Sequence, residues 1–321
     1  MDTIEFAVAA AVHAPSVHNT QPWRFGPGKR HIDVYADVGR RLRAADPDGR
    51  ELMISCGAAV FTLRVALRYL GWRPRAQLFP DPSRPALVAR VSWDADRIAA
   101  DAYEQEMYAA VTARHTHRGG FGPAPLPAGT LAALREEATR EGAMLRLVTA
   151  GDQRDALAAA VQAGEHALRL DGHRAAELAD WVVPPGNPRR DGIPPTAYPA
   201  EPAHTDPDFP GRDFAAGKGW GLAAPAADER SPGVACLLAT SVNEPADWVA
   251  AGQALQRVLL RATACDVAAA LHSQPLELAQ LRDFIRVQLA ARAHPQMIIR
   301  LGVTGQAGPA SIRRPVGDVL L

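Results

Sequence analysis

Two short stretches carry side chains suited to chemistry. Residues 14–25 read "APSVHNTQPWRF" and crowd Ser16, Asn19 and Gln21 just after a helix broken by Pro15. A plain turn needs fewer hydroxyls and amides than this. Residues 114–121 read "RHTHRGGF". Arg114, Thr116 and Arg118 alternate, so an extended segment turns all three the same way. Guanidinium forks beside a hydroxyl suit a phosphate better than lysine ammoniums do. A third stretch, "SIRRP" (311–315), adds Arg313 and Arg314. Taken singly, this run reads as a solvated tail and Ser16 as a cap or turn residue.

The elements that must position these residues follow from periodicity and punctuation. Residues 3–13 form a helix stopped by Pro15. "QPWRF" and "HIDVYAD" are strands around a "GPGK" turn, with Trp23 and Phe25 on one core-facing side. Residues 50–70 are apolar over much of their circumference, the pattern of a buried helix. Strands are expected at "ALVARVSW", "AMLRLVTA", "GVACLLAT" and "QMIIRLGV", and helices at "AYEQEMYAAVTA", "AGTLAALREEATREG", 151–182, 246–263 and "ELAQLRDFIRVQLAAR". Residues 184–231 are dense in Pro, Gly and Asp, the composition of a lid or linker. Residues 55–72 align without gaps on 250–267, placing Gly57 on Gly252 and Val65 on Leu260. Two related halves are expected, 1–112 and 113–321.

Composition narrows the function classes. The formal net charge is zero, so no global field favours nucleic acid or an anionic membrane. No apolar run is expected to span a bilayer, and the first residues lack a basic leader, which points to the cytoplasm. Cys56, Cys236 and Cys265 are an odd, widely spaced set and read as buried free thiols. His115 and His117 have no third ligand nearby, so no metal is expected. "GRDFAAGKG" imitates a phosphate loop, but Gly219 follows Lys218 where a hydroxyl belongs. Asp2 and Glu51 read as caps or solvated faces.

The first stretch resembles the A-P-S-x-x-N-x-Q-P-W segment of the nitroreductase superfamily, the FMN-dependent flavoproteins. Residues 114–121 resemble that family's R-x-S/T-x-R/K-x-x-F run, which grips the FMN phosphate. In ordinary members the basic run comes first, and two protomers share each flavin. Here the order is reversed, which resembles the Acg-type members, fused pseudodimers with one flavin site and a lid. The resemblance implies an α+β nitroreductase-like fold, a lid over 184–231, and bound FMN. It places Pro15, Ser16 and Asn19 along the ribityl chain and pyrimidine edge, with Gln21 orienting them. It places Arg114, Thr116 and Arg118 on the phosphate, with His115 adding a ring donor, Arg313 completing the clamp and Arg314 as its substitute. Ser311 stands where many members have lysine. Backbone donors from Ala270, Leu271 and His272 would approach flavin N5 and O4, and His272 is the ionisable group in reach as proton donor. No catalytic side chain is obligatory, because the flavin carries the chemistry. The implied partners are NAD(P)H and a small acceptor such as a nitroaromatic or quinone, on a monomer. The competing expectation is an FMN-sequestering protein whose lid, anchored by Tyr198, Phe209, Phe214 and Trp220, excludes nicotinamide.

Overall fold

The computed structural model describes residues 2–223, 230–305 and 311–321. Residues 224–229 of the expected lid and 308–310 of the expected tail lie outside them. The first half begins with α1 (Thr3–Ala11), capped by Asp2, whose side chain accepts from the Thr3 amide. Four antiparallel strands follow: β1 (Trp23–Pro27), β2 (His31–Ala36), β3 (Pro74–Leu78) and β4 (Leu87–Trp93), in the order β1-β2-β4-β3. The second sheet holds β5 (Met144–Val148), β6 (Val234–Thr240), β7 (Ala268–His272) and β8 (His294–Gly302), in the order β5-β6-β8-β7.

The two sheets therefore repeat one plan. In each, a long helix follows the second strand. These are α2 (Arg50–Tyr69) and α7 (Pro245–Ala264), each 20 residues long. The tight turn between β1 and β2 is replaced in the second half by a long insertion that holds α5 (Gly151–Leu170) and α6 (Gly172–Trp181). The helices α3 (Ala102–Ala113) and α4 (Ala128–Arg140) join the halves. An added α8 (Ala279–Gln288) lies between β7 and β8.

The two long helices cross at the residues that the internal alignment pairs. A Cβ on Gly57 would meet the Val249 carbonyl oxygen at 2.1 Å, and one on Gly252 would meet that of Ile54 at 2.0 Å. Neither backbone can retreat, so only glycine fits the crossing. The chain end closes the molecule differently. A short α9 (Val316–Val319) buries Val319 in the first half's core, and the Leu321 amide donates to Phe25 of β1 at 2.9 Å.

Three expectations need correction. The strands β3 and β7 were not anticipated. By length and composition α2 could cross a membrane, contrary to the sequence reading, yet 78% of its apolar 18-residue window is buried in the protein. Cys265 is only half-buried, whereas Cys56 and Cys236 are buried free thiols.

Candidate functional site

Ser16 leaves α1 in an extended conformation and opens a 3₁₀ turn over Val17–Asn19. His18, Asn19 and Gln21 all take positive φ, at 47°, 54° and 48°. Such strain persists only where surrounding contacts impose it. Those contacts are specific: Ser16 Oγ accepts from the Gln21 amide at 2.9 Å, and Arg40 Nη1 donates to the Thr20 carbonyl at 2.8 Å. Asn19 uses both ends of its amide. Its Nδ2 donates to the carbonyls of Gly192 (2.9 Å) and Ile312 (3.1 Å), and its Oδ1 accepts from Arg313 Nη1 at 2.8 Å. Gln21 lies behind the cleft wall, accepting from the Arg314 amide and donating to the Arg190 carbonyl.

The opposite wall starts where α3 ends. Residues 114–118 run extended along the free edge of β7. Thr116 pairs with Ala269 in a parallel bridge, and the His117 amide donates to Ala269 at 2.9 Å. That pairing aims Arg114, Thr116 and Arg118 into one cleft, which Pro15, Ser16, Asn19, Ala270, Leu271, His272, Ser311 and Arg313 also line. His117 lines it too. His115, Gln21 and Arg314 do not: His115 turns its Nδ1 to the Ala113 carbonyl, and Arg314 bonds the carbonyls of Gln21 and Asp318.

Electrostatically the cleft is a cluster of cations. Among the described residues, Arg114, Arg118 and Arg313 form no ion pair. Arg114 is buried and gives Nη2 to the His13 carbonyl, leaving Nε and Nη1 without partners. Arg313 Nη2 meets the same carbonyl, and its buried Nε is also unpartnered. Arg118 donates to the Ala197 carbonyl at 2.7 Å and lies over the Phe214 ring. Burial pushes Arg114 and Arg118 down to about 10, and burial with the other two guanidiniums pushes Arg313 down to about 9. His13 falls to about 4, through burial and then Arg313 and Arg114. Desolvated, unpaired guanidiniums with free donors call for an anion.

His272 corrects an expectation. Its Nε2 accepts from Arg300 Nε at 2.8 Å, and burial with Arg300 and Arg212 holds its pKa well below the usual value. The ring is held neutral, with its proton on the unpartnered Nδ1, so it can donate a hydrogen bond but is not an imidazolium.

Residues of the 184–231 stretch line the same cleft. Pro194, Ala197, Pro199 and Phe214 line it, and Gly192 exchanges bonds with Asn19. Asp191 binds Arg40 of the first half at 2.8 Å. Tyr198 and Phe214 form a small core against which Trp220 packs, while Phe209 joins the second sheet's core. Sequence reasoning missed Glu51, Ile54 and Ser55 at the start of α2, Arg212 in the lid, and Arg300 on β8, all in the cleft wall. A polar residue inside a helix the sequence already marked as buried was the available signal for Glu51.

No protein-family model matches the chain. Among curated proteins, it is 34% identical over 328 residues to "Putative NAD(P)H nitroreductase Rv3131" of Mycobacterium tuberculosis, spanning 99% of this chain and 91% of the relative. It is 30% identical over 321 residues to "Putative NAD(P)H nitroreductase acg" of the same organism, spanning 99% and 95%. A solved nitroreductase from Desulfovibrio desulfuricans, in complex with FMN, aligns with 67% of this chain and 95% of its own at 18% identity and a TM-score of 0.39.

Proposed function

Because the chain belongs to the nitroreductase family, in the group that includes mycobacterial Acg, we propose that its cleft binds one FMN and passes electrons from NAD(P)H to a small acceptor such as a nitroaromatic or quinone. The observation that carries this reading is the set of three guanidiniums, Arg114, Arg118 and Arg313, that form no ion pair among the described residues and line one cleft with Ser16 and Asn19, Arg313 bonding Asn19 directly. A phosphate dianion fits it. The free donors of Arg114 and Arg313 supply charge-assisted bonds, and Thr116 adds a hydroxyl. Ser16 keeps its O–H proton for a ribityl hydroxyl, since its oxygen accepts from Gln21. Asn19 is committed to the lid and tail, which makes it a tie that shapes the wall. Bound FMN would supply two-electron transfer. The protein's part is to hold it and to exclude water.

The purified protein should be yellow and should retain FMN through gel filtration. A colourless protein that does not take up added FMN refutes this reading. We assign the two sheet-bearing halves, 1–112 and 113–321, to opposite walls of a pseudodimeric site, with cytoplasmic location and a monomeric state as the accompanying expectations.

One observation favours a second reading. The lid lines the cleft and is tied down by Asn19, by Arg118 on Ala197 and by Arg40 on Asp191. A lid that stays closed would keep nicotinamide off the flavin and leave a storage protein. Stopped-flow mixing with NADH and NADPH decides between them: rapid bleaching of the flavin band supports the enzyme, and flavin that stays oxidised with both supports storage.

A further inference from the structure

The sequence reads Glu51 as a helix cap or a solvated-face residue. Instead it is 4% exposed and lines the cleft beside Ile54 and Leu255. Among the described residues lining the cleft, it is the only carboxyl group. We propose that Glu51 is the proton donor of this cleft, giving a proton to the oxygen of a bound quinone-type acceptor as the electrons arrive. The proposal deepens the oxidoreductase reading and rests on it.

The surroundings favour a carboxyl that keeps its proton. Glu51 Oε1 accepts from Arg50 Nη2 at 2.9 Å, but the same guanidinium also donates to the carbonyl and side chain of Gln296. The second nearby cation, Arg212, is held by Glu277 at 2.5 Å and also touches His18 Nε2. His18 is buried and kept neutral by burial, Arg212 and Arg118. Asp46, in the loop before α2, accepts from the amides of Glu51 and Leu52 and adds another carboxylate. Arg282 of α8 donates to the Leu276 carbonyl and contributes distant positive charge. Burial and the Glu277 and Asp46 carboxylates outweigh Arg50 and Arg212, pushing Glu51 up to about 8. An acid poised near neutrality suits proton delivery.

The step balances. Bound, reduced FMN would supply the hydride equivalent to the quinone; the Glu51 O–H bond breaks, and its proton forms the hydroquinone O–H. The Glu51 carboxylate then takes a proton from water, and NAD(P)H restores the electrons.

The test uses the full chain loaded with FMN. The flavin is photoreduced and mixed with 1,4-benzoquinone, so nicotinamide access plays no part. In the wild type, reoxidation should slow as pH rises through about 8, because the acid form is the active one. Glu51→Gln should slow it about a hundredfold, the usual scale for a lost general acid, and remove that break. Glu277→Gln, by deleting a like charge and freeing Arg212, should move the break to lower pH. Without any turnover, the infrared spectrum near neutral pH should contain a protonated-carboxyl band that Glu51→Gln removes. Wild-type reoxidation and an unchanged break in Glu51→Gln, or an ionised Glu51 near neutrality, would overturn the proposal. Failure of NAD(P)H to bleach the flavin would instead sink the NAD(P)H oxidoreductase reading and leave these measurements standing.

Discussion

Asn19 makes three hydrogen bonds from one amide, to Gly192, 173 residues away, and to Ile312 and Arg313, 293 and 294 residues away. Arg114 is the opposite case, a buried guanidinium with two nitrogens left over. Its replacement by Ala should therefore weaken FMN binding by about 1.5–3 kcal/mol, the range for hydrogen bonds to charged groups. Flavin fluorescence quenching measures this, and a change of only a few tenths would remove Arg114 from the site. His13 provides an internal reporter. Its folded value is depressed to about 4, so the fold favours the neutral ring. Its share of stability is complete above the unfolded value near 6.5 and declines as pH falls from there toward about 4. Proton NMR should find its ring titrating near 4, and binding of a dianion beside Arg114 and Arg313 should move that titration upward. At this scale the sequence was readable where residue types repeat a motif, as in Ser16, Arg114 and Arg118. It was silent on partners set by distant chain: nothing near residue 51 announces Glu277 or Arg212.

Among the elements, the α2–α7 crossing is the most constrained. Gly57→Ala or Gly252→Ala forces a methyl group onto a carbonyl at about half the normal contact distance. Either should destabilise the protein by roughly 1–3 kcal/mol or more, as overpacking does. Thermal unfolding of the purified variants measures this, and unchanged melting would mean that the helices can separate freely. The long helices were legible because their apolar residues recur at helical spacing over five turns. The missed strands had no such signal. β3 is an edge strand whose sequence, "PRAQL", alternates between half-buried and exposed positions. β7, "AAALH", is alanine-rich and continues the composition of the helix before it. Only pairing with Ile298–Gly302 makes it a strand. Within the insertion between β5 and β6, the prolines and glycines of 184–231 set that stretch apart from the helices before it. Its docking on Asn19 and Arg40 depends on contacts no local pattern encodes.

For the molecule as a whole, the cleft arginines oppose folding until something neutralises them. A ligand that binds only the folded chain stabilises it in proportion to occupancy, by about 2.7 kcal/mol at a hundredfold excess over Kd. FMN should accordingly raise the melting temperature by several degrees, and inorganic phosphate by less. Arg114→Ala should blunt both shifts, whereas equal shifts in the two proteins would place the anion elsewhere. The site is also assembled from segments far apart in the sequence, with Asn19 and Arg313 294 residues from one another. Ser16 stands on one wall, and Arg313 reaches it from the segment that finally packs on β1. During translation both sheets and the 114–118 run all precede residue 313. We therefore expect FMN to bind a nascent chain weakly and to reach full affinity only once the segment that carries Arg313 has docked.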